Sequence, residues 1–398
     1  MKKFLVTSFV IIIFAFFSLG AVNTPWTFLV YIAADNSLAD FAQFNINQMK
    51  MVNNPNVTIL TYWCPPVKNG KKIAQKILVT PGMHKVIGID NNIDSGQRST
   101  LLGACSWAIT EYPSDKFALI LWNHGSGILN RSDFSASLPR GFCYDDTTGN
   151  YLTDLDLRSV LSSINAVRKK KVDIVGFDAC LMAGIEIGSA VADYASYLVA
   201  SEQTELGYGW NYRFLQSWKG GQDQAAAAGS IVDAYGSFYT QNNLGQKTND
   251  YTLSACNLEA YGLLEVAVNN LSSVLLNGLK SSLKNQLKFA IQKSIIRPFD
   301  ELTYIDLFDF AHKLSNNIVP LASLKEGKVF VDALTNALSR LRIALKSYVV
   351  KSVQGELLKN TAGVSIYFPR GFLEPSYSRC HFAQSGAWTS FIANYLNS

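Results

Sequence analysis

Five apolar runs of strand length mark the first half of the chain: "TFLVYIAA" (27–34), "VTILTYWC" (57–64), "FALILWNHG" (117–125), "VDIVGFDAC" (172–180) and "SYLVAS" (196–201). None alternates cleanly between apolar and polar positions, so each reads as a strand covered on both faces, the habit of parallel sheets. Helical patterns separate them. "NSLADFAQFNINQM" opens on Asn36 and "STLLGACSWAITEY" on Ser99, both N-cap types, while "TDLDLRSVLSSINAVRKKK" has Thr153 as cap, acids early and bases late. Repeated strand and helix predict an α/β domain around a central, mostly parallel sheet.

From about residue 225 the pattern turns helical, in "QAAAAGSIVDAYGSFYTQN", "LEAYGLLEVAVNNLSSVL" and "KVFVDALTNALSRLRIALKSYV". "TAGVSIYFP" (361–369) is a late strand, expected to return to the sheet. No Pro/Gly/Ser linker intervenes, so the reading is a core over 21–225 with a packed, largely helical C-terminal subdomain over 226–398. The loop from Ile128 to Leu152 is rich in Ser, Asp and Gly and falls between two core strands, where loops of that length are usually functional or mobile.

The amino terminus changes the picture. Lys2 and Lys3 precede an apolar run from Phe4 to Phe17, followed by the small residues Ser18 and Gly20. That is the pattern of a secretory signal peptide over 1–20, with an uncleaved anchor as the alternative. No later stretch reaches the roughly 18 apolar residues of a spanning helix. The expected location is periplasmic, extracellular or at the cell surface. Loss of Lys2 and Lys3 reduces the formal charge from +5 to +3, too small an imbalance to point to nucleic acid. The basic run Arg168 to Lys171 reads as a solvated helix terminus. Six scattered cysteines do not make a disulfide scaffold, and four histidines without HExxH spacing do not support a zinc hydrolase. Neither GxSxG nor a phosphate-binding GxxxxGK[ST] occurs.

Candidate chemistry gathers at two strand ends. "FALILWNHG" ends in Asn123, His124 and Gly125, and "VDIVGFDAC" in Asp178 and Cys180. Taken singly, Cys180 is a buried strand-end thiol and His124 a turn histidine. If the two strands lie parallel and adjacent, His124 and Cys180 leave the same edge of the sheet, where an imidazole can take the proton of a thiol whose ordinary pKa is about 8.5. Gly125 would let a substrate carbonyl approach the backbone. Its N–H and that of Cys180, if Cys180 starts a helix, can receive an oxyanion. Asp178 is costly to bury without a partner or ligand; capping a helix or bonding backbone amides is its plainer role.

In order, "TFLVYIAADNSL", "LILWNHGSG", "GFDACLMAGIEI", "ASEQTELGYGW", "YIDLFDFA" and "GVSIYFP" resemble the clostripain family of cysteine peptidases over about residues 26–370. The resemblance implies a caspase-like α/β/α sandwich, His124 as general base, Cys180 as nucleophile and Asp178 in the primary specificity pocket. It also implies protein or peptide substrates cleaved after Arg or Lys, and self-cleavage between the histidine and cysteine strands, where Arg140 and Arg131 lie. The chemistry requires no cofactor. Calcium dependence of some relatives makes Asp145, Asp146, Asp154 and Asp156 candidate ligands, though without EF-hand spacing. Tyr208 stands where some relatives have a second pocket acid; Glu202 and Glu205 lie nearby and read as residues holding the loop. A catalytically inactive exported binding or surface protein, or an acyltransferase using the same dyad, are the alternatives. No partner beyond substrate is expected, and the oligomeric state is left open.

Overall fold

The computed structural model describes residues 24–128, 141–241 and 248–397. Residues 1–20, expected from the sequence to be a signal peptide, and Arg131 and Arg140 lie outside the described residues. Thirteen strands are described: β1 (Trp26–Ala33), β2 (Val57–Cys64), β3 (Ile73–Thr80), β4 (Met83–Asn91), β5 (Lys116–Trp122), β6 (Phe142–Asp145), β7 (Asn150–Leu152), β8 (Val172–Asp178), β9 (Ala195–Ala200), β10 (Thr252–Asn257), β11 (Tyr304–Asp306), β12 (Val349–Gln354) and β13 (Ser365–Tyr367). The helices that pack on them include α1 (Ala39–Met49), α2 (Arg98–Glu111), α3 (Asp154–Arg168), α4 (Ile185–Val191) and α5 (Gln224–Thr240). All five apolar runs became strands.

Nine strands form one sheet in the order β12-β10-β9-β8-β5-β1-β2-β3-β4. Its centre, from β9 to β2, is parallel. Both flanks are antiparallel, through β3 and β4 on one side and β10 and β12 on the other. Successive residues of β1 face opposite layers: Leu29, Tyr31 and Ala33 enter one core, and Phe28, Val30 and Ile32 the other. This explains the unbroken apolar runs, since a strand buried on both faces has no polar position to spare.

The layers follow from handedness. The chain steps from β1 through α1 to β2, then returns past β1 through α2 to reach β5, and continues outward through α3 and α4. Right-handed crossovers place helices of opposite travel on opposite faces, and α1 packs in one core while α2, α3 and α4 pack in the other. The reversal between β1 and β5 opens a crevice at their carboxyl ends, where open α/β sheets place ligands. The architecture is the caspase-like α/β/α sandwich expected, with a larger mixed sheet than the apolar runs alone implied.

Several local expectations are corrected. "TAGVSIYFP" does supply a strand, but β13 pairs antiparallel with β11 and lies outside the main sheet. The edge beyond β9 is already covered by β10, so the returning segment is left to dock on the loop after β8, with Ser365 N–H donating to Ala183 O at 3.1 Å. The half after 225 supplies two strands of the main sheet as well as helices. Asn36 does not cap α1: its Oδ1 accepts from Leu38 N–H at 2.9 Å and closes the turn before the helix. Ser99 sits inside the first turn of α2, whose entry is set by a turn around Asp94, with Gly96 N–H donating to its Oδ1 at 2.9 Å. Thr153 caps α3 as expected, in a reciprocal box with Asp156. Arg168 is no solvated terminus: it pairs with Asp173 at 3.1 Å and lies over the Phe117 ring.

Candidate active site

Trp122 and Asp178 are partners in the parallel pairing of β5 with β8. His124 and Cys180 each follow two residues later, so the two leave the sheet side by side. Between them the backbones come very close. A Cβ on Gly125 would lie 2.4 Å from the Cys180 carbonyl oxygen, so only glycine fits. Close approach is thus what this position requires, though its partner is the loop after β8 and not a substrate carbonyl.

Cys180 does not begin a helix. α4 starts at Ile185 behind Gly184, and residues 179–184 form an irregular turn in which Leu181 has a φ of 64°. A leucine rarely adopts this left-handed conformation, and neighbours must hold it there. Leu181 N–H donates to Gln203 O at 3.2 Å and Ala183 N–H to Ser201 O at 2.8 Å. The loop after β9 therefore shapes the loop after β8. It also reaches the sulfur: Glu205 N–H donates to Cys180 Sγ at 3.3 Å.

Cys180 is 7% exposed and opens into a cleft of about 160 Å³ lined by Leu38, Asn123, His124, Asp178, Glu205 and Leu206 among others. Three larger hollows lie elsewhere, about 460 Å³ near Val57, Leu78 and Tyr112, about 260 Å³ near Thr153 and Cys380, and about 190 Å³ near Ile109, Phe117 and Arg168. None is lined by both a thiol and an imidazole. The His124 ring meets Ser37, on the loop after β1, with Ser37 Oγ 2.9 Å from Nε2. Sequence reasoning passed over Ser37; its one signal was its place just beyond the strand that becomes the neighbour of β5.

Asp178 forms the cleft's inner wall. Its carboxylate accepts from Tyr212 O–H at 2.7 Å and from Trp210 N–H at 3.2 Å. A Cβ on Gly209, whose φ is 60°, would stand 2.4 Å from Asp178 Oδ1, so this glycine lets the backbone wrap the acid. Burial pushes the Asp178 carboxyl up to about 6, against the lowering effect of Tyr212, Trp210 and Glu205. Glu205 is pushed well above the usual range, by burial first and then by the charges of Asp178 and Cys180. The Trp210 indole N–H offsets part of this, although it does not reach hydrogen-bond geometry. Two carboxyls in one buried site do not both ionise at neutral pH, and Glu205, the more strongly raised of the two, keeps its proton, although neither of its carboxyl oxygens reaches a hydrogen-bond partner. Glu205, read from sequence as a loop residue, is thus the second acid of the cleft wall. Tyr208 instead packs its ring between Phe41 and Phe44. Glu202 is turned away, accepting from Gly363 N–H at 2.9 Å.

The four acids offered as calcium ligands are spread among other tasks. Asp145 is ion-paired with Lys72, which also stands 2.9 Å from Asp35. Asp156 belongs to the cap of α3, Asp154 accepts from His381 N–H at 3.1 Å, and Asp146 is exposed. An ammonium already fills the place a cation would take beside Asp145, so these residues do not fit a calcium site. Among the described residues no group of three or more His, Cys, Asp or Glu is gathered as a metal would need. All six cysteines are buried and unbridged. No helix among the described residues is long and apolar enough to cross a membrane.

The family model for the clostripain family matches residues 30–390. The chain belongs to that family. It is a cysteine-type endopeptidase. Clostripain of Hathewaya histolytica is 23% identical over 88% of this chain and 75% of its own. Among solved structures, an inactive zymogen C11 protease from Parabacteroides distasonis superposes with a TM-score of 0.65 at 20% identity. A secreted C11 cysteine protease from Bacteroides thetaiotaomicron, in complex with an irreversible peptide inhibitor, does so with a TM-score of 0.64 at 19% identity. Each comparison covers 93% of this chain and 99% of the other. At these identities the structures establish the fold of this clostripain-family member.

Proposed function

We propose that this clostripain-family enzyme is an exported endopeptidase that cleaves after Arg or Lys through His124 and Cys180. The reading rests on one observation: the β5–β8 register brings a histidine and a cysteine to adjacent strand ends over a cleft walled by Asp178 and Glu205. The His124 imidazole takes the thiol proton as Sγ attacks the scissile carbonyl. The backbone N–H of Gly125 receives the oxyanion, and that of Cys180 joins it from the turn after β8 without the help of a helix start. The imidazolium then protonates the leaving amine, and water assisted by the same imidazole hydrolyses the thioacyl intermediate. Asp178 and Glu205 face the side chain before the scissile bond. A guanidinium matches them through paired charge-assisted hydrogen bonds, an ammonium less completely.

Export rests on the basic and apolar leader, and a secreted relative is in keeping with it. Maturation by internal cleavage after Arg140 or Arg131 is part of the same reading. Intact mass of wild type and of Cys180→Ala tests that part: cleavage in wild type alone supports it, and two uncut chains remove it. The whole reading is tested by hydrolysis of fluorogenic peptides ending in Arg, Lys, Asp or Leu, with Cys180→Ala in parallel. Turnover of the basic substrates alone, abolished in the variant, is the expected result. Absence of turnover on any basic substrate, with calcium and a reductant present, overturns it.

A further inference from the structure

The two loops that carry Ser37 and His124 are tied to the same pair of carbonyl oxygens. Asn36 Nδ2 donates to Ala33 O at 2.8 Å and to Tyr144 O at 3.2 Å. Asn123 Nδ2 donates to the same two acceptors, Ala33 O and Tyr144 O, the latter at 2.9 Å. Tyr144 N–H returns a bond to Asn123 Oδ1 at 3.1 Å. Ser37 and His124 are the next residues after these two amides. Behind them Asp146 N–H donates to Asp35 O at 2.9 Å, and Lys72 bridges Asp35 to Asp145. A buried polar lattice thus spans the ends of β1, β5 and β6, and it holds two otherwise accessible side chains in one relative position.

From this arrangement we infer that Ser37 is a positioning residue that sets the tautomer and the rotation of the His124 ring. The inference rests on the reading that His124 is the general base. To accept the thiol proton an imidazole must leave one nitrogen unprotonated and carry hydrogen on the other, and which nitrogen does which follows from the hydrogen bond the second one makes. Ser37 Oγ lies 2.9 Å from Nε2 and accepts its N–H, which assigns Nδ1 to the thiol. Once the ring is an imidazolium the same bond becomes charge-assisted and stronger, so Ser37 favours the state reached as Cys180 attacks. A neutral hydroxyl at a partly exposed position contributes modestly, about three- to tenfold in rate. That is far less than a buried aspartate gives in serine enzymes.

The test compares wild type, Ser37→Ala and Ser37→Thr on an Arg-terminated fluorogenic peptide, with benzamidine binding and melting temperature alongside. The His124 imidazole titration is followed by NMR in a Cys180→Ala background, with and without Ser37→Ala. The expected result is a three- to tenfold fall in kcat/KM for Ser37→Ala with benzamidine affinity and melting temperature unchanged, recovery in Ser37→Thr, and a His124 titration moved to lower pH. Unchanged kcat/KM and titration overturn the inference, as does a loss that Thr fails to recover or that parallels a fall in melting temperature. Full activity of His124→Ala would instead overturn the dyad on which the inference rests.

Discussion

Trp122 on β5 and Asp178 on β8 stand opposite one another in parallel register, and the two residues that follow each of them deliver an imidazole and a thiol to one edge of the sheet. A slip of one residue would turn the strand-end side chains toward the opposite layer and part Cys180 from His124. Asp178 takes part twice: its backbone carbonyl accepts from Asn123 N–H at 3.3 Å, and its side chain walls the cleft. The positions of His124, of Cys180 and of the acid that walls the cleft are therefore fixed by the same pair of strands.

Replacing Asp178 by Asn removes the charge and keeps an acceptor for Tyr212 O–H. We expect kcat/KM on Arg-terminated peptides to fall by about 30- to 100-fold, the usual cost of losing one partner of a desolvated charge pair. Alkylation of Cys180 by iodoacetamide should stay within about threefold of wild type. Steady-state kinetics with melting curves as control measure both, and an equal loss on all substrates would mean that Asp178 only supports Trp210 and Tyr212.

The same acid sets a pH dependence for cation binding. Asp178 titrates at about 6 because burial opposes its charge, so it is ionised above that pH and protonated below it. Benzamidine inhibition should therefore weaken as the pH falls from 7 to 5, by about tenfold per unit below 6. Glu205→Gln keeps a neutral side chain of the same shape beside Asp178, so the onset of weakening should stay where it is. Inhibition constants measured across this range decide the matter.

Glu186 is fully buried, accepting from Tyr367 N–H and Tyr377 O–H at 3.0 Å each, and burial pushes its carboxyl up to about 7 from 4.5 against those two bonds. The folded protein keeps a proton that the unfolded chain releases between those values, so stability is full below about 4.5 and declines as pH rises through about 7. The group accounts for on the order of 3 kcal/mol at most. Glu186→Gln should flatten the decline in urea midpoint between pH 5 and pH 8. An unchanged slope would assign the decline to other buried acids.

Lys72 holds two carboxylates that burial would otherwise penalise. Burial alone would lower its proton affinity, but hydrogen bonds and attraction from Asp145 and Asp35 outweigh this and raise it, while Asp145 is held below its ordinary range despite burial. Lys72→Met leaves Asp35 and Asp145 uncompensated and should cost about 3 kcal/mol or more. Adding Asp145→Asn to that variant should recover part of the loss. Urea denaturation of the single and double variants measures the coupling.

Much of the fold was legible in the chain. Five double-faced strands showed as unbroken apolar runs, and Thr153 announced α3 as an N-cap residue followed by acids. The flanking strands were not: β3 and β4 are half exposed, with the broken patterns "IAQKILVT" and "MHKVIGIDN", and β10 and β12 are short runs inside a helical half. Their pairing depends on which sheet edges remain open after the centre has formed, and that is no property of the segments themselves.

The sequence by itself determined the parallel core, the strand ends bearing His124 and Cys180, and the acid two residues before the thiol, because periodicity and polar termination are local properties of a chain. Only the tertiary structure decided that Glu205 joins Asp178, that Ser37 meets His124, that Gly125 is required by the Cys180 carbonyl, and that Asp145 belongs to Lys72. Each of these joins residues distant in the chain, and contacts of that kind arise from strand order, register and buried hydrogen bonds and ion pairs, which exist only once the layers have packed.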